Sequence, residues 1–248
     1  VFVPQEAGDL SMSDITVLIS TSPIPSNPST AIIGATIGSI STELPDADII
    51  IMADGTEQPN DAYQRHLTAI KRRWPGILRQ FENHQHQSGM LKPTLAEVET
   101  PLIYYLEHDW VTLPNVPWRE LSNLIFSGEF NSIKLHAQPR ISPYYEHLMM
   151  ERLIYQDGAA SDRYQDNRAG VAIPIIRSRQ WSQNPHLAST QFYREKILPL
   201  CRGKCDFIEN IIHGIIANSP WEEFKTGIYN PVDGDMFRVS HLDGRGTP

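Results

Sequence analysis

The stretch "PLIYYLEHDWVTLP" sets two carboxylates and an imidazole, Glu107, His108 and Asp109, directly after the apolar run at residues 102–106. Side chains of an extended segment alternate with a period of two, so Glu107 and Asp109 are expected to face the same side. Two converging carboxylates repel unless a cation lies beside them. Oxygen ligands suit Mg²⁺ or Mn²⁺, ions that keep some water and bridge to substrate phosphates. The chemistry implied is neutralisation of a bound diphosphate. The competing reading of a Glu-x-Asp pattern is a solvated loop at a strand end.

Such residues act only if the fold gathers them. The chain has 248 residues, 40 % hydrophobic and 20 % charged, which suits a globular protein, and no apolar run reaches the length of a bilayer span. The opening "VFVPQEAGDLSMSD" has neither a basic start nor an apolar signal core. A formal charge of −8 argues against a broad nucleic-acid surface and confines any DNA contact to a local basic groove. Cys201 and Cys205 stand in "CRGKC" without a second cysteine pair to complete a zinc site, so histidines would have to do so. Reduced thiols in a reducing compartment such as the cytoplasm are the simplest reading, and a single disulfide is the next.

The run "ITVLIS" reads as a buried strand, and Ser29 then caps a helix with Ile33, Ile37, Ile40 and Leu44 on one face. A second strand, Ile49 to Ala53 in "ADIIIMADG", ends at Asp54-Gly55 and precedes the helical spacing of Tyr63, Leu67, Ile70 and Trp74. Further strands are expected over residues 77–81 and 102–106, and a helix begins at Pro117 with Trp118, Leu121 and Ile125 inward. Later candidates are the strands "SIKLH" and "VAIPII", helices over residues 187–198 and "DFIENIIHGIIA", and a strand in "MFRVSH". The fold class is α/β: one domain with a mostly parallel, Rossmann-type central sheet and a less regular C-terminal half. Ligands of such sheets gather beyond the carboxyl ends of the strands, so Ser20, Thr21, Asp54, Glu107 and Asp109 should open onto one edge. Asp206 and Glu209 stand three apart at the start of an apolar-periodic helix, either as acid–base groups or as carboxylates favoured there by the helix dipole. The "HQH" at His84 to His86 could suggest a metal, although alternating histidines in a polar loop are usually solvated.

"IIIMADGTEQPND" resembles the strand-turn that carries Asp-Asp-Gly-Ser in family 2 glycosyltransferases of the GT-A fold, with Ala53 in place of the first Asp and Thr56 in place of the Ser. "YYLEHDW" resembles their Asp-x-Asp segment, with Glu107 in place of the first acid. "FRVSHLDGR" resembles the C-terminal segment from which many GT-A enzymes supply a metal-binding histidine. The resemblance covers the N-terminal half and the extreme C-terminus. It implies a GT-A-like domain in which about residues 15–110 bind the nucleotide sugar and about 111–248 serve the acceptor.

The implied activity is metal-dependent, inverting transfer of a hexosyl or N-acetylhexosaminyl group from a UDP-sugar to an acceptor hydroxyl. Ser20 and Thr21 would lie beside the nucleotide, and Asp54 would bond the base or ribose. Asp109 would bind Mn²⁺ or Mg²⁺, Glu107 would join it directly or through water, or hold the ribose, and His241 would complete the set. Arg245 would meet the diphosphate as a two-pronged donor. The family's Glu-Asp pair is Glu209-Asn210 here, so Glu209 is the first candidate base and Asp206 the second. "WSQNPHL" resembles a segment that walls the acceptor site, with His186 structural.

Phage-encoded GT-A enzymes that glycosylate hydroxymethylated pyrimidines in DNA, such as 5-hydroxymethylcytosine, share the look of a compact chain closing near "HLDGR". For that acceptor Arg163, Arg168, Arg177 and Arg179 could line a phosphate groove, or equally be plain surface charge, and the base would have to leave the stack. A polysaccharide or other glycan is the alternative acceptor. Rival readings are a metal-dependent hydrolase built on Glu107, His108, Asp109 and His241, and a nucleotide-sugar binding module with no need of Glu209.

Overall fold

The computed structural model describes residues 12–137, 142–156, 159–161, 173–202, 206–230 and 238–242. Its centre is β1 (Ile15–Thr21), buried at every residue, as its run of β-branched and aliphatic side chains requires. β2 (Asp48–Ala53) and β4 (Leu102–Glu107) flank it in parallel, and β3 (Leu78–Gln80) lies parallel beyond β2. Alternate residues of β1 enter opposite cores: Val17 and Ile19 pack with Ile33, Ile37 and Tyr63, while Leu18 packs with Met90, Leu91 and Tyr105. The sheet is therefore covered on both faces.

α1 (Ala31–Glu43) and α2 (Asp61–Arg73) bury the residues their periodicity marks: Ile33, Ile37 and Ile40 in one, Tyr63, Leu67 and Ile70 in the other. Asn60 caps α2 by accepting from the Tyr63 amide at 3.0 Å. The helix α3 (His86–Leu95) replaces the solvated loop expected around "HQH". It carries an internal Pro93 and a weak apolar stripe, and it holds through Met90, Leu91 and Leu95, which cover the second face of the sheet.

Beyond β4 come β5 (Trp110–Thr112), α4 (Trp118–Phe126), β6 (Ser132–Leu135), β7 (Met149–Gln156), β8 (Ala159–Ser161), β9 (Ile173–Ser178), β10 (His186–Ser189), β11 (Thr226–Tyr229) and β12 (Val239–His241). The large sheet has the order β3-β2-β1-β4-β10-β6-β11-β9-β7-β8. From β3 to β11 only β10 is reversed, so this part is mostly parallel, while β9, β7 and β8 continue it antiparallel. β12 pairs with β5 in a separate ladder.

One expected helix is corrected. Residues 187–189 belong to β10, between β4 and β6, and the helix starts only at 190, where the Ser189 hydroxyl accepts from the Phe192 amide. Leu187 joins one core and Ala188 the other, so burial on both faces and pairing on both edges outweigh the local helical spacing. A helix follows over residues 190–200, with a π turn at Tyr193–Ile197, and another spans Ile208–Asn218. Cys201 is buried in the second core, and Cys205 lies outside the described residues. Among the described residues, no helix is long and apolar enough to cross a membrane.

His186, in the middle of the sheet, is structural as expected. Its Nδ1 donates to the Asn184 carbonyl at 2.9 Å and its Nε2 meets the Tyr193 hydroxyl at 2.5 Å. Burial pushes its pKa down to about 4, and the Lys134 charge adds to the effect. The folded pKa lies below the unfolded value, so the unfolded chain binds the extra proton between the two. Stability is therefore full above about pH 6.5 and declines as pH falls towards 4, by about 2 kcal/mol for this group at pH 5. Urea titrations at pH 8 and pH 5 read the loss, which is expected to shrink in His186→Asn.

Candidate functional site

Strand register brings the chemical groups together. Thr21 is level with Ala53, and Ser20 is level with Glu107, so the next residues of β2 and β4, Asp54 and His108-Asp109, emerge at the same edge. All of them line one cavity of about 430 Å³, together with His84, His86, Gln87, Phe207 and His241. Thr21 Oγ1 is buried there with no hydrogen-bond partner among the described residues, a polar group left for a ligand. Ser20 is held from below: its hydroxyl accepts from Tyr105 at 3.0 Å.

Asp54 is buried and fully engaged by the chain itself. Oδ1 accepts from the Gln85 amide at 2.7 Å, Oδ2 from the His86 amide at 3.1 Å, and His84 Nδ1 lies 2.8 Å from Oδ2. Gly55 permits this closure, since a Cβ there would sit 2.3 Å from the backbone carbon of Asn83. Asp54, His84 and His86 form a three-residue group spaced for a metal. The preference for a solvated loop at "HQH" is corrected, and the lesser alternative of a metal group is the one the spacing fits: the chain folds the loop over the end of β2, and both rings line the cavity.

His241 arrives from the far end of the chain. β12 pairs with β5 so that His241 lies opposite Trp110, and the Leu242 amide donates to the Asp109 carbonyl at 2.8 Å. This ladder sets His241 Nε2 3.2 Å from Asp109 Oδ2, with the imidazole edge against the Trp110 ring. Adjacent ligands on an ion with bonds of about 2.1 Å lie about 3 Å apart, so the pair fits a divalent ion. Asp109 Oδ1 is buried and has no hydrogen-bond partner among the described residues, which strengthens the fit. Glu107 lines the same cavity but accepts from Gln87 Nε2 at 2.5 Å, and it does not close with Asp109 and His241 into a compact trio.

A second cavity of about 320 Å³ adjoins the first and shares Glu107, Phe207 and His241 with it. Glu209 and Asn210 line it, from the first turn of the Ile208–Asn218 helix, beside Gln183 and Asn184. A chain of amides joins the two cavities. Gln87 donates to Glu107 and accepts from Gln183 Nε2, and the Gln183 amide donates to Glu209 Oε2 at 3.0 Å. Desolvation lowers the Lys134 ammonium to about 8, and the charge of Glu209 partly opposes the shift. Lys134 Nζ donates to Gln180 at 2.5 Å. Gln87, Gln183 and Lys134 carry no motif, so only their shared contacts mark them.

The remaining candidates separate. Asp206 lines neither cavity; its Oδ1 accepts from the Phe207 amide and from Asn210 Nδ2, which lowers its carboxyl below the usual range. Arg245, Arg163 and Arg168 lie outside the described residues. Arg177, expected along a phosphate groove, is ion-paired to Glu129 at 2.6 Å and Glu151 at 2.5 Å and stacks over Trp221.

Mixed α/β layering around a large, mostly parallel central sheet is the GT-A fold, shared with the solved structures that this chain is similar to. GalNAc-T7, crystallised with UDP, GalNAc and Mn²⁺, is 13 % identical over 94 % of this chain and 44 % of its own, with a TM-score of 0.57. Residues 1–349 of S. aureus TarS are 11 % identical over 92 % of this chain and 60 % of that one, with a TM-score of 0.53. The chain thus spans less than two thirds of either structure. No family model and no curated protein sequence matches it.

Gln87→Ala is expected to lower the unfolding free energy by about 1–3 kcal/mol, because Gln183 Nε2 and the Ile208 amide lose their acceptor in a buried setting. Urea unfolding monitored by tryptophan fluorescence measures it.

Proposed function

We propose that the chain is a divalent-metal-dependent glycosyltransferase that moves a sugar from a UDP-type donor to an acceptor hydroxyl with inversion. The observation that carries the proposal is the 3.2 Å approach of Asp109 and His241 at the junction of two cavities, one ringed by Ser20, Thr21 and Asp54 and the other holding Glu209. The larger cavity takes the nucleotide, with the buried Thr21 hydroxyl offered to it. Asp109 and His241 would hold the ion, with Glu107 beside them; when bound, it offsets the charge of the departing diphosphate. GalNAc-T7, a solved relative in fold, was crystallised with UDP, GalNAc and Mn²⁺, which supports the reading.

Glu209 takes the proton from the acceptor hydroxyl as that oxygen attacks the anomeric carbon from the face opposite the leaving group. It is favoured over Asp206 because it lines the smaller cavity, whereas the Asp206 carboxylate is occupied at the helix start. Phe207, 46 % exposed and shared by both cavities, offers an apolar ring face for a pyranose at the point of transfer. A glycan hydroxyl is the better supported acceptor, since the guanidinium of Arg177 is already neutralised by two carboxylates. Modified DNA is the alternative.

Incubation with UDP-glucose or UDP-N-acetylglucosamine, Mn²⁺ and either glycans or hydroxymethylated DNA, followed by mass measurement of the acceptor, tests the reading. A sugar released only to water would point to a hydrolase. Asp109→Asn is expected to abolish transfer. Glu209→Gln should lower kcat by about 10²–10⁴-fold while donor binding, followed by calorimetry, stays intact. Full activity in either variant removes the corresponding role.

A further inference from the structure

The histidines of "HQH" have no part in the transfer reading, yet their geometry is specific. His84 Nε2 and His86 Nε2 face each other at 2.9 Å, with ring centroids 4.0 Å apart. One ligand atom from each of Asp54, His84 and His86 lies within 4.8 Å of the other two. Asp54 Oδ2 sits 2.8 Å from His84 Nδ1. A carboxylate in that place holds the proton on Nδ1 and turns the Nε2 lone pair outward, as the carboxylate partners of metal-binding histidines do. His86 is held at φ 49°, a left-handed conformation that is costly for a residue with a Cβ, and the bond from its amide to Asp54 maintains it. The ring of Phe207 packs on the other side at 5.3 Å, so the position of His86 is fixed by both backbone and packing.

We propose that His84 and His86 bind a zinc-type divalent ion between their Nε2 atoms, with Asp54 orienting His84. Adjacent nitrogens around tetrahedral zinc with bonds of about 2.0–2.1 Å lie about 3.3 Å apart, so the rings need to part by only a few tenths of an ångström. Binding releases the proton that the two nitrogens share, and no electron is transferred. The remaining positions face the cavity and take water. Ligand chemistry separates this site from the Asp109 position: paired imidazoles suit zinc, and carboxylate oxygens suit Mg²⁺ or Mn²⁺. The ion ties His84 to His86, which Asp54 already holds at the end of β2, and makes them a fixed wall of the larger cavity. None of this depends on the transfer reaction.

The test uses the full chain, stripped with a chelator and titrated with Zn²⁺ in excess Mg²⁺, with metal content and thermal midpoint as readouts. The expected result is about one zinc ion per chain and a raised midpoint, because an ion bound only by the folded state stabilises it. His84→Asn and His86→Asn should lose both, and Asp109→Asn should keep both. Asn tolerates the left-handed backbone at 86, and circular dichroism reports whether each variant is folded. No uptake by the wild type, or equal uptake by a folded histidine variant, overturns the proposal. So does loss of uptake in Asp109→Asn, which would place the ion at the carboxylate position. Zinc uptake without sugar transfer would leave this site standing and remove only the glycosyltransferase reading.

Discussion

The parallel register of β1 with β2 and β4 is the constraint on which the rest depends. Level pairing of Thr21 with Ala53 and Ser20 with Glu107 means that three strands end together, and the first residues beyond them must share a space. The register is enforced by burial on both faces. A slip of one residue would exchange Leu18 for Val17 and Ile19 between the two cores, and each core is shaped for the side chains it holds. The polar edge thus follows from apolar packing that makes no contact with any ligand.

On that edge the chain returns twice. The loop of residues 83–86 folds onto Asp54, which satisfies two backbone amides and one imidazole. The C-terminal strand β12 returns along β5 and delivers His241 to Asp109. At Asp54 the buried carboxylate is compensated by donors from a later part of the sequence, as burial of a charge requires, whereas Asp109 keeps one buried oxygen without a partner among the described residues. The acidic character of the site is therefore tied to the closure of the fold, and the ligand space is the room left after those bonds are made.

The two cavities are linked by neutral groups. Gln87 and Gln183 connect Glu107 to Glu209 without placing a charge between them. An amide relay fixes the spacing of two carboxylates while leaving each able to meet a cation or take a proton, which a salt bridge in the same position would prevent. Desolvation weakens the hold of the Lys134 ammonium on its proton, and the charge of Glu209 partly opposes this.

The sequence by itself determined the first two βα units, because continuous apolar runs bounded by Pro, Ser and Asp-Gly leave little choice of structure. It also marked Ser20, Thr21, Asp54, Glu107 and Asp109, since the ends of such strands are where ligands gather. It misread residues 187–189 and the "HQH" segment, where local spacing favoured a helix and a solvated loop. Tertiary structure alone decided that β10 runs reversed between β4 and β6, that α3 covers the second core, and that Gln87, Gln183, His84 and His86 meet the carboxylates. Those outcomes rest on contacts between residues tens of positions apart, which pairing and packing set and local periodicity does not encode.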